Sequence, residues 1–157
     1  MSGAEVFALV SGIFQVISFA GQTIELCTAI YNGASPDKRL SLTAAAMDSV
    51  AAEIQKQCQD APDAESDAER ELFALATECR KTASDLEEDV NRCIGSQAKG
   101  KLGATFLASF KYQLRKPGLK KLEKELERQR KTLETKLLAR TWSVLLQSRS
   151  PGFEPCR

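Results

Sequence analysis

The chain has 157 residues and a formal net charge of +1 at pH 7, a length sufficient for one domain with a single hydrophobic core. It contains no histidine, which excludes the commonest general base, the Ser/His and Cys/His nucleophile pairs and zinc sites built on imidazole. Its five cysteines lack paired close spacing, a pattern typical of free thiols in a reducing compartment. We therefore expect a cytoplasmic protein that is not an enzyme and holds no metal or other cofactor.

The first predicted helix, from about Ala4 to Tyr31, is unusually apolar. Residues 6–24, VFALVSGIFQVISFAGQTI, contain no charge, although Asp, Glu, Lys and Arg make up 27% of the chain. Polar residues recur at steps of three and four, which places them in one narrow stripe along the helix. This polar stripe consists of Ser11, Gln15, Ser18, Gln22 and Glu25. The pair Asn32-Gly33 predicts that the helix ends in a left-handed cap.

This helix suits two environments, and its pattern leaves both open. A secretion signal is not expected, because Glu5 is the only charge before Val6 and no positive segment precedes the apolar residues. In a soluble bundle, only the polar stripe would contact water. In a membrane, the stripe would face a copy of itself, and nineteen helical residues cover roughly 28 Å of a hydrocarbon core about 30 Å thick. The polar residues offset much of the apolar transfer energy, so a single copy is not expected to span stably. The candidate membrane-inserting residues are Val6, Phe7, Leu9, Val10, Ile13, Phe14, Val16, Ile17 and Phe19.

The middle of the chain predicts two amphipathic helices. The turn Ser35-Pro36-Asp37 leads into helix 2, which runs to about Gln59, and Pro62 marks the next turn. Its apolar face contains Leu40, Met47, Ala51, Ile54 and Cys58. Ser66 and Glu69 form a capping box that opens helix 3. Apolar residues of helix 3 then alternate at steps of four and three: Leu72, Ala76, Cys79, Ala83, Leu86, Val90 and Cys93.

The last third predicts a shorter helix and a long one. Gly95, Gly100 and Gly103 interrupt the pattern, and residues 102–116 read as a fourth helix that ends at Pro117-Gly118. The final helix begins at Leu119, with Leu119, Leu122, Leu126, Leu133 and Leu137 as its buried seam. No segment alternates with period two, so we predict an all-α bundle of four to five helices over residues 1–147. Residues 148–157 have no periodicity and are predicted to be a disordered tail.

Positive charge is concentrated near the predicted fourth helix. Eight lysines and arginines lie between residues 99 and 124, opposed by Glu123 alone, and Phe106, Phe110 and Tyr112 lie among them. Such a segment is typical of contact with anionic lipid headgroups or an acidic protein partner. The candidate contact residues are Lys111, Arg115, Lys116, Lys120 and Lys121. Nucleic acid is not expected, because residues 1–92 carry 16 acidic and 7 basic side chains that would repel phosphate.

One phosphate-binding motif is nearly matched. GSQAKGKL at residues 95–102 fits the P-loop pattern except at Leu102, where a Ser or Thr hydroxyl would bind magnesium. A helix precedes the motif, whereas a P-loop follows a strand. We therefore expect neither a nucleotide nor any other small-molecule substrate.

The order of these parts resembles the helical N-terminal domains of fungal STAND receptors, which are NLR-like proteins. The resemblance covers residues 1–147 and rests on AEVFALVSGIFQVISFAGQTIELCTAIYNG, the acidic middle helices, SFKYQLRK and LEKELERQRKTLETKLL. Such domains are similar to the HeLo and HeLo-like cell-death domains, and one is also named after azaphilone pigments biosynthesis cluster protein L.

The resemblance implies a bundle whose N-terminal helix leaves the fold and permeabilises a membrane when receptors self-associate. It therefore predicts a non-enzymatic cell-death or signalling effector, cytoplasmic at rest and recruited to the plasma membrane on activation. The chain ends in SRSPGFEPCR, without the nucleotide-binding domain of such receptors. The alternative from a different class is an adaptor that binds other proteins and has no membrane activity.

Overall fold

Four long helices pack together in a computed structural model of the chain. They are α1 (Gly3–Tyr31), α2 (Lys38–Asp60), α3 (Asp67–Ala98) and α4 (Lys116–Ser148). The structure describes residues 2–35, 38–60, 66–98, 108, 110–112 and 114–148, without the side chains of 95–98 and 141–148. The prediction of an all-α bundle with an apolar N-terminal helix is confirmed. Ser148, the first residue of the predicted tail, is the last residue of α4, and residues 149–157 lie outside the described residues.

Both ends of α1 are closed by local hydrogen bonds. Ser2 and Glu5 form a capping box, in which the Glu5 amide donates to Ser2 Oγ at 3.3 Å and the Ser2 amide donates to Glu5 Oε2 at 2.6 Å. At the other end Gly33 has a φ of +102°, and the Ala34 amide donates to the Ala29 carbonyl at 2.9 Å. This Schellman arrangement confirms the left-handed cap predicted at Asn32-Gly33.

The core forms around α1, which packs against the other three helices. The Ile54 side chain of α2 packs closely against α1 at Gly12, where a Cβ atom would lie 3.0 Å from Ile54 Cγ1. All seven residues of the predicted α3 seam are buried, and so are Leu40, Met47, Ala51 and Ile54 on α2. Three further predicted core residues are only half-buried because they lie at the margin of the core: Cys58 of α2, and Leu122 and Leu137 of α4.

Two predicted helix ends are wrong. The last helix begins at Lys116 and not at Leu119, so Pro117 lies in its first turn. Proline is tolerated there because the N–H groups of a first helical turn have no partner within the helix. Likewise α3 continues past Gly95 to Ala98. Most of the predicted fourth helix lies outside the described residues, although 110–112 are helical and the Leu114 amide donates to the Phe110 carbonyl at 2.9 Å. Phe110 and Leu114 are buried and anchor this segment to the core.

The four described cysteines should differ in reactivity toward a bulky thiol reagent. Cys27, Cys79 and Cys93 are fully buried, and burial raises their thiol pKa values to about 12, 12 and 11. Cys58 is half-buried, so we expect it to be labelled first and the other three at least about 100-fold more slowly, through local or global unfolding. Equal fast labelling of all four in the folded protein would contradict this core. Cys156 lies outside the described residues, and we expect it to react at once because the sequence predicts a disordered tail there.

Candidate functional site

The polar stripe lies along the outer side of α1. Gln15, Ser18, Gln22 and Glu25 are exposed, and Ser11 is half-buried. Beside the stripe, a groove of about 940 Å³ separates α1 from α4. Its walls combine three groups of residues: Ser18, Gln22 and Glu25 of the stripe; apolar Phe14, Ile17 and Leu126; and charged Glu123, Glu127 and Arg130. The stripe is therefore accessible to solvent or to another molecule.

The candidate membrane-inserting residues of α1 are largely in contact with the core. Five are buried, namely Leu9, Val10, Ile13, Val16 and Ile17; Val6, Phe14 and Phe19 are half-buried, and Phe7 is 75% exposed. Within the described part of the chain, α1 is the one helix long and apolar enough to cross a bilayer, with a mean hydropathy of 1.7 over its most apolar window. Only 33% of that window is buried, and the core helix of a soluble protein can meet the same criteria of length and hydropathy. In this fold, entry into a membrane would require α1 to leave the bundle.

Five exposed cations form what we call the basic patch, on α4 and the segment before it: Lys111, Arg115, Lys116, Lys120 and Lys121. None of them forms an ion pair with a residue that the structure describes. Lys121 only helps to lower the pKa of Glu125, whose main hydrogen-bond partner is Arg128. The basic patch therefore presents positive charge that carboxylates of the described chain do not neutralise.

Six other cations of α3 and α4 pair with carboxylates, whereas Arg80, Lys81, Lys124 and Arg140 form no ion pair with a described residue. Arg128 joins Glu78 across the two helices at 2.8 Å, and Lys136 joins Glu71 in the same way. Lys131 pairs with Glu127, one turn earlier on α4, at 3.5 Å. The remaining paired cations are Arg70, Arg92 and Arg130. The basic patch differs from these six cations because none of its five members has a carboxylate partner among the described residues.

The basic patch contacts the end of α1 through an aromatic ring. Lys111 Nζ lies 5.3 Å from the ring centroid of Tyr31, the last residue of α1, and Lys116 Nζ lies 5.7 Å from the same centroid. Both distances are within the range of cation–π attraction. A similar but purely local contact joins Arg115 to the Tyr112 ring at 5.8 Å. The sequence interpretation missed Tyr31, and no spacing pattern could have shown it, because its partners are some 80 residues further along the chain.

A buried side-chain amide on α4, that of Gln129, connects this helix to α3. Gln129 is 1% exposed, and its Nε2 donates to Thr82 Oγ1 at 3.1 Å and to Glu125 Oε1 at 3.3 Å. The Thr82 hydroxyl in turn donates to the Glu78 carbonyl at 3.1 Å. This link holds the first half of α4 in register on α3, and with it Lys116, Lys120 and Lys121.

Two carboxyl groups meet where α2 and α3 pack. Burial is the main cause that raises the pKa of Glu87 above its ordinary value. The charge of Asp48 and a hydrogen bond between the two side chains raise it further, and the hydrogen bond that Asn91 donates to Glu87 opposes the shift. Because the folded state then binds this proton more tightly than the unfolded chain, the free energy of unfolding decreases as pH rises from about 4.5 through the raised pKa.

Replacing Glu87 by Gln should remove this loss of stability. The amide keeps a donor for Asp48 but carries no charge, so Glu87→Gln should raise the melting temperature at pH 7 and have little effect at pH 4. Thermal unfolding at the two pH values measures the difference. A variant that is less stable than wild type at pH 7 would contradict the like-charge contact.

The described residues contain no group of three or more His, Cys, Asp or Glu side chains arranged to hold a metal ion. Comparison of the chain with protein-family models, with curated proteins and with solved structures finds no match. The resemblance to fungal STAND N-terminal domains therefore rests on the sequence pattern alone. The fold and the site define a class of protein. It is an all-α bundle with an apolar N-terminal helix. Two lysines of its basic patch lie at the end of that helix.

Proposed function

We propose that this protein is a non-enzymatic effector that acts at anionic membranes in cell-death or signalling responses of the fungal STAND type. The basic patch binds lipid headgroups, and α1 then leaves the bundle and enters the bilayer. The protein is cytoplasmic at rest and reaches the plasma membrane on activation. Its partners are anionic lipids and either further copies of itself or a receptor.

The observation that supports this proposal is a cluster of five exposed cations that have no carboxylate partner among the described residues. Six cations of α3 and α4 have carboxylate partners in the fold, whereas the five of the basic patch have none among the described residues. Exposed unpaired cations repel one another, and a negatively charged surface removes that repulsion. Each lysine or arginine near such a membrane contributes about 1 kcal/mol of attraction.

The composition of α1 supports the second step. Leaving the core for a bilayer exchanges one apolar environment for another, so the apolar residues of α1 lose little hydrophobic stabilisation. The polar stripe is the part that a bilayer disfavours, and stripes from several copies can face one another. Self-association therefore accompanies insertion in this account.

Vesicle binding by the full chain tests the proposal. The protein should sediment with phosphatidylcholine vesicles that contain phosphatidylserine, remain in the supernatant with phosphatidylcholine alone, and release a trapped dye only from the anionic vesicles. Binding should weaken as salt increases, because exposed charges are screened. No binding to anionic vesicles at low salt would contradict the proposal.

The second candidate is an adaptor that binds a protein partner without acting on membranes. The burial of Leu9, Ile13 and Val16 favours it, since these residues already have a place in the core. In that case the basic patch recognises an acidic protein surface. Sedimentation with anionic vesicles without dye release, even at saturating protein, would favour the adaptor.

A further inference from the structure

We propose that Lys111 and Lys116 clasp the C-terminal end of α1 through the Tyr31 ring, and that an anionic membrane weakens this clasp by neutralising the two ammonium groups. The inference rests on the proposed function and adds to it a physical link between lipid binding and the release of α1. Tyr31 is then a positioning residue that couples the basic patch to the helix.

The clasp consists of two contacts on one ring. The Nζ atoms of Lys111 and Lys116 lie 5.3 Å and 5.7 Å from the Tyr31 centroid, and Tyr31 is the last residue of α1. The two lysines come from different places, one from the helical residues 110–112 and the other from the start of α4. Buried Phe110 and Leu114 hold this part of the chain against the core. The ring therefore joins the end of α1 to a firmly anchored segment.

The local charge of α1 explains why the lysines stabilise this end. The C-terminus of a helix carries partial negative charge, and α1 has no basic residue in its last turn. Lys111 and Lys116 supply positive charge from outside the helix, beside the ring of its last residue. Both the attraction to the ring and the attraction to the helix end depend on the net charge of the ammonium groups.

A phosphate-bearing surface removes that net charge. An ammonium group paired with a lipid phosphate attracts neither the ring face nor the helix end, and the phosphate itself is repelled by both. The clasp therefore weakens even if the lysine side chains do not move. The anchoring contacts of Phe110 and Leu114 are unaffected, so the basic patch stays in place while the end of α1 is freed.

Amide hydrogen exchange in solution tests the clasp without any lipid. In Tyr31→Leu the amides of the α1 cap, from Asn32 to Ala34, should exchange about two- to tenfold faster than in wild type. Tyr31→Phe keeps the ring and should exchange like wild type. Lys111→Gln with Lys116→Gln keeps Tyr31 and should match Tyr31→Leu. Unchanged exchange in Tyr31→Leu, or in the double lysine variant, would overturn the clasp.

A matched control is available in the same segment. Tyr112 is 71% exposed, and its ring has a cation–π contact with Arg115, in its own segment. Tyr112→Leu removes the same kind of contact from the same patch but leaves the clasp intact. The amides of its α1 cap should exchange at the wild-type rate. Faster exchange in Tyr112→Leu would mean that the loss of any contact in the basic patch loosens the cap. That result would overturn the specific role of Tyr31.

Dye release from phosphatidylserine vesicles tests the coupling to lipid. Tyr31→Leu should bind these vesicles as wild type does, because it keeps every cation, and should release dye faster at equal bound protein. Equal dye release by the two proteins would overturn the coupling. If wild type does not bind the vesicles at all, the proposed function fails, whereas the exchange measurement in solution still decides whether the clasp exists.

Discussion

Replacing all five cations of the basic patch by glutamine is expected to weaken binding to phosphatidylserine vesicles by about 4,000-fold at low salt. Each of these cations is worth about 1 kcal/mol at an anionic surface, and about 1.4 kcal/mol corresponds to a factor of ten. All five side chains are exposed, so the helix content and the melting temperature should change little. Vesicle sedimentation and circular dichroism measure the two quantities.

A control variant with the same change in net charge tests whether vesicle binding depends on the position of the five cations or only on the net charge of the protein. Five exposed cations elsewhere serve for it: Arg70, Lys81, Arg92, Arg130 and Lys131. Four of them make surface ion pairs, which are worth little to stability. Their replacement by glutamine should weaken vesicle binding by less than about tenfold, because these positions lie outside the patch. Equal losses in the two variants would mean that the membrane responds to net charge and not to the patch.

The fold follows from the sequence where the signal is local. The α3 seam from Leu72 to Cys93 is buried throughout because a repeat of four and three residues leaves a helix only one apolar face to bury. The cap at Gly33 is equally local, since a positive φ is accessible to glycine without steric cost. The error at the start of α4 has a local cause as well: Pro117 is tolerated within a first helical turn as readily as after a helix end.

The site could be predicted only in part. Charge density alone identified the basic patch, but pairing depends on which helices become neighbours, as Arg128 and Glu78 show across α3 and α4. The contact between Tyr31 and two lysines depends on the same packing. The buried link between Gln129 and Thr82 was missed, because in the sequence Gln129 looks like any polar residue of a charged helix.

The central proposal is that α1 enters the bilayer. The variant Ser18→Lys distinguishes a helix that inserts from one that only packs in the core. Ser18 is exposed on the polar stripe near the middle of α1, so in the resting bundle the change should cost no more than about 0.5 kcal/mol. In a membrane-spanning α1 the same lysine lies near the bilayer centre and costs about 2.5 to 3.5 kcal/mol per copy. Ser49, exposed on α2, gives the control Ser49→Lys with the same change of side chain on a helix that does not insert.

Dye release and ion selectivity of the two lysine variants, measured on phosphatidylserine vesicles at equal bound protein, test the claim most directly. The account predicts that Ser49→Lys behaves as wild type. Ser18→Lys should fold and bind but release dye roughly 100-fold more slowly, or form pores with selectivity shifted toward anions if the stripe lines a water-filled assembly. A folded, bound Ser18→Lys protein with the wild-type rate and selectivity would contradict insertion and leave α1 as a core helix.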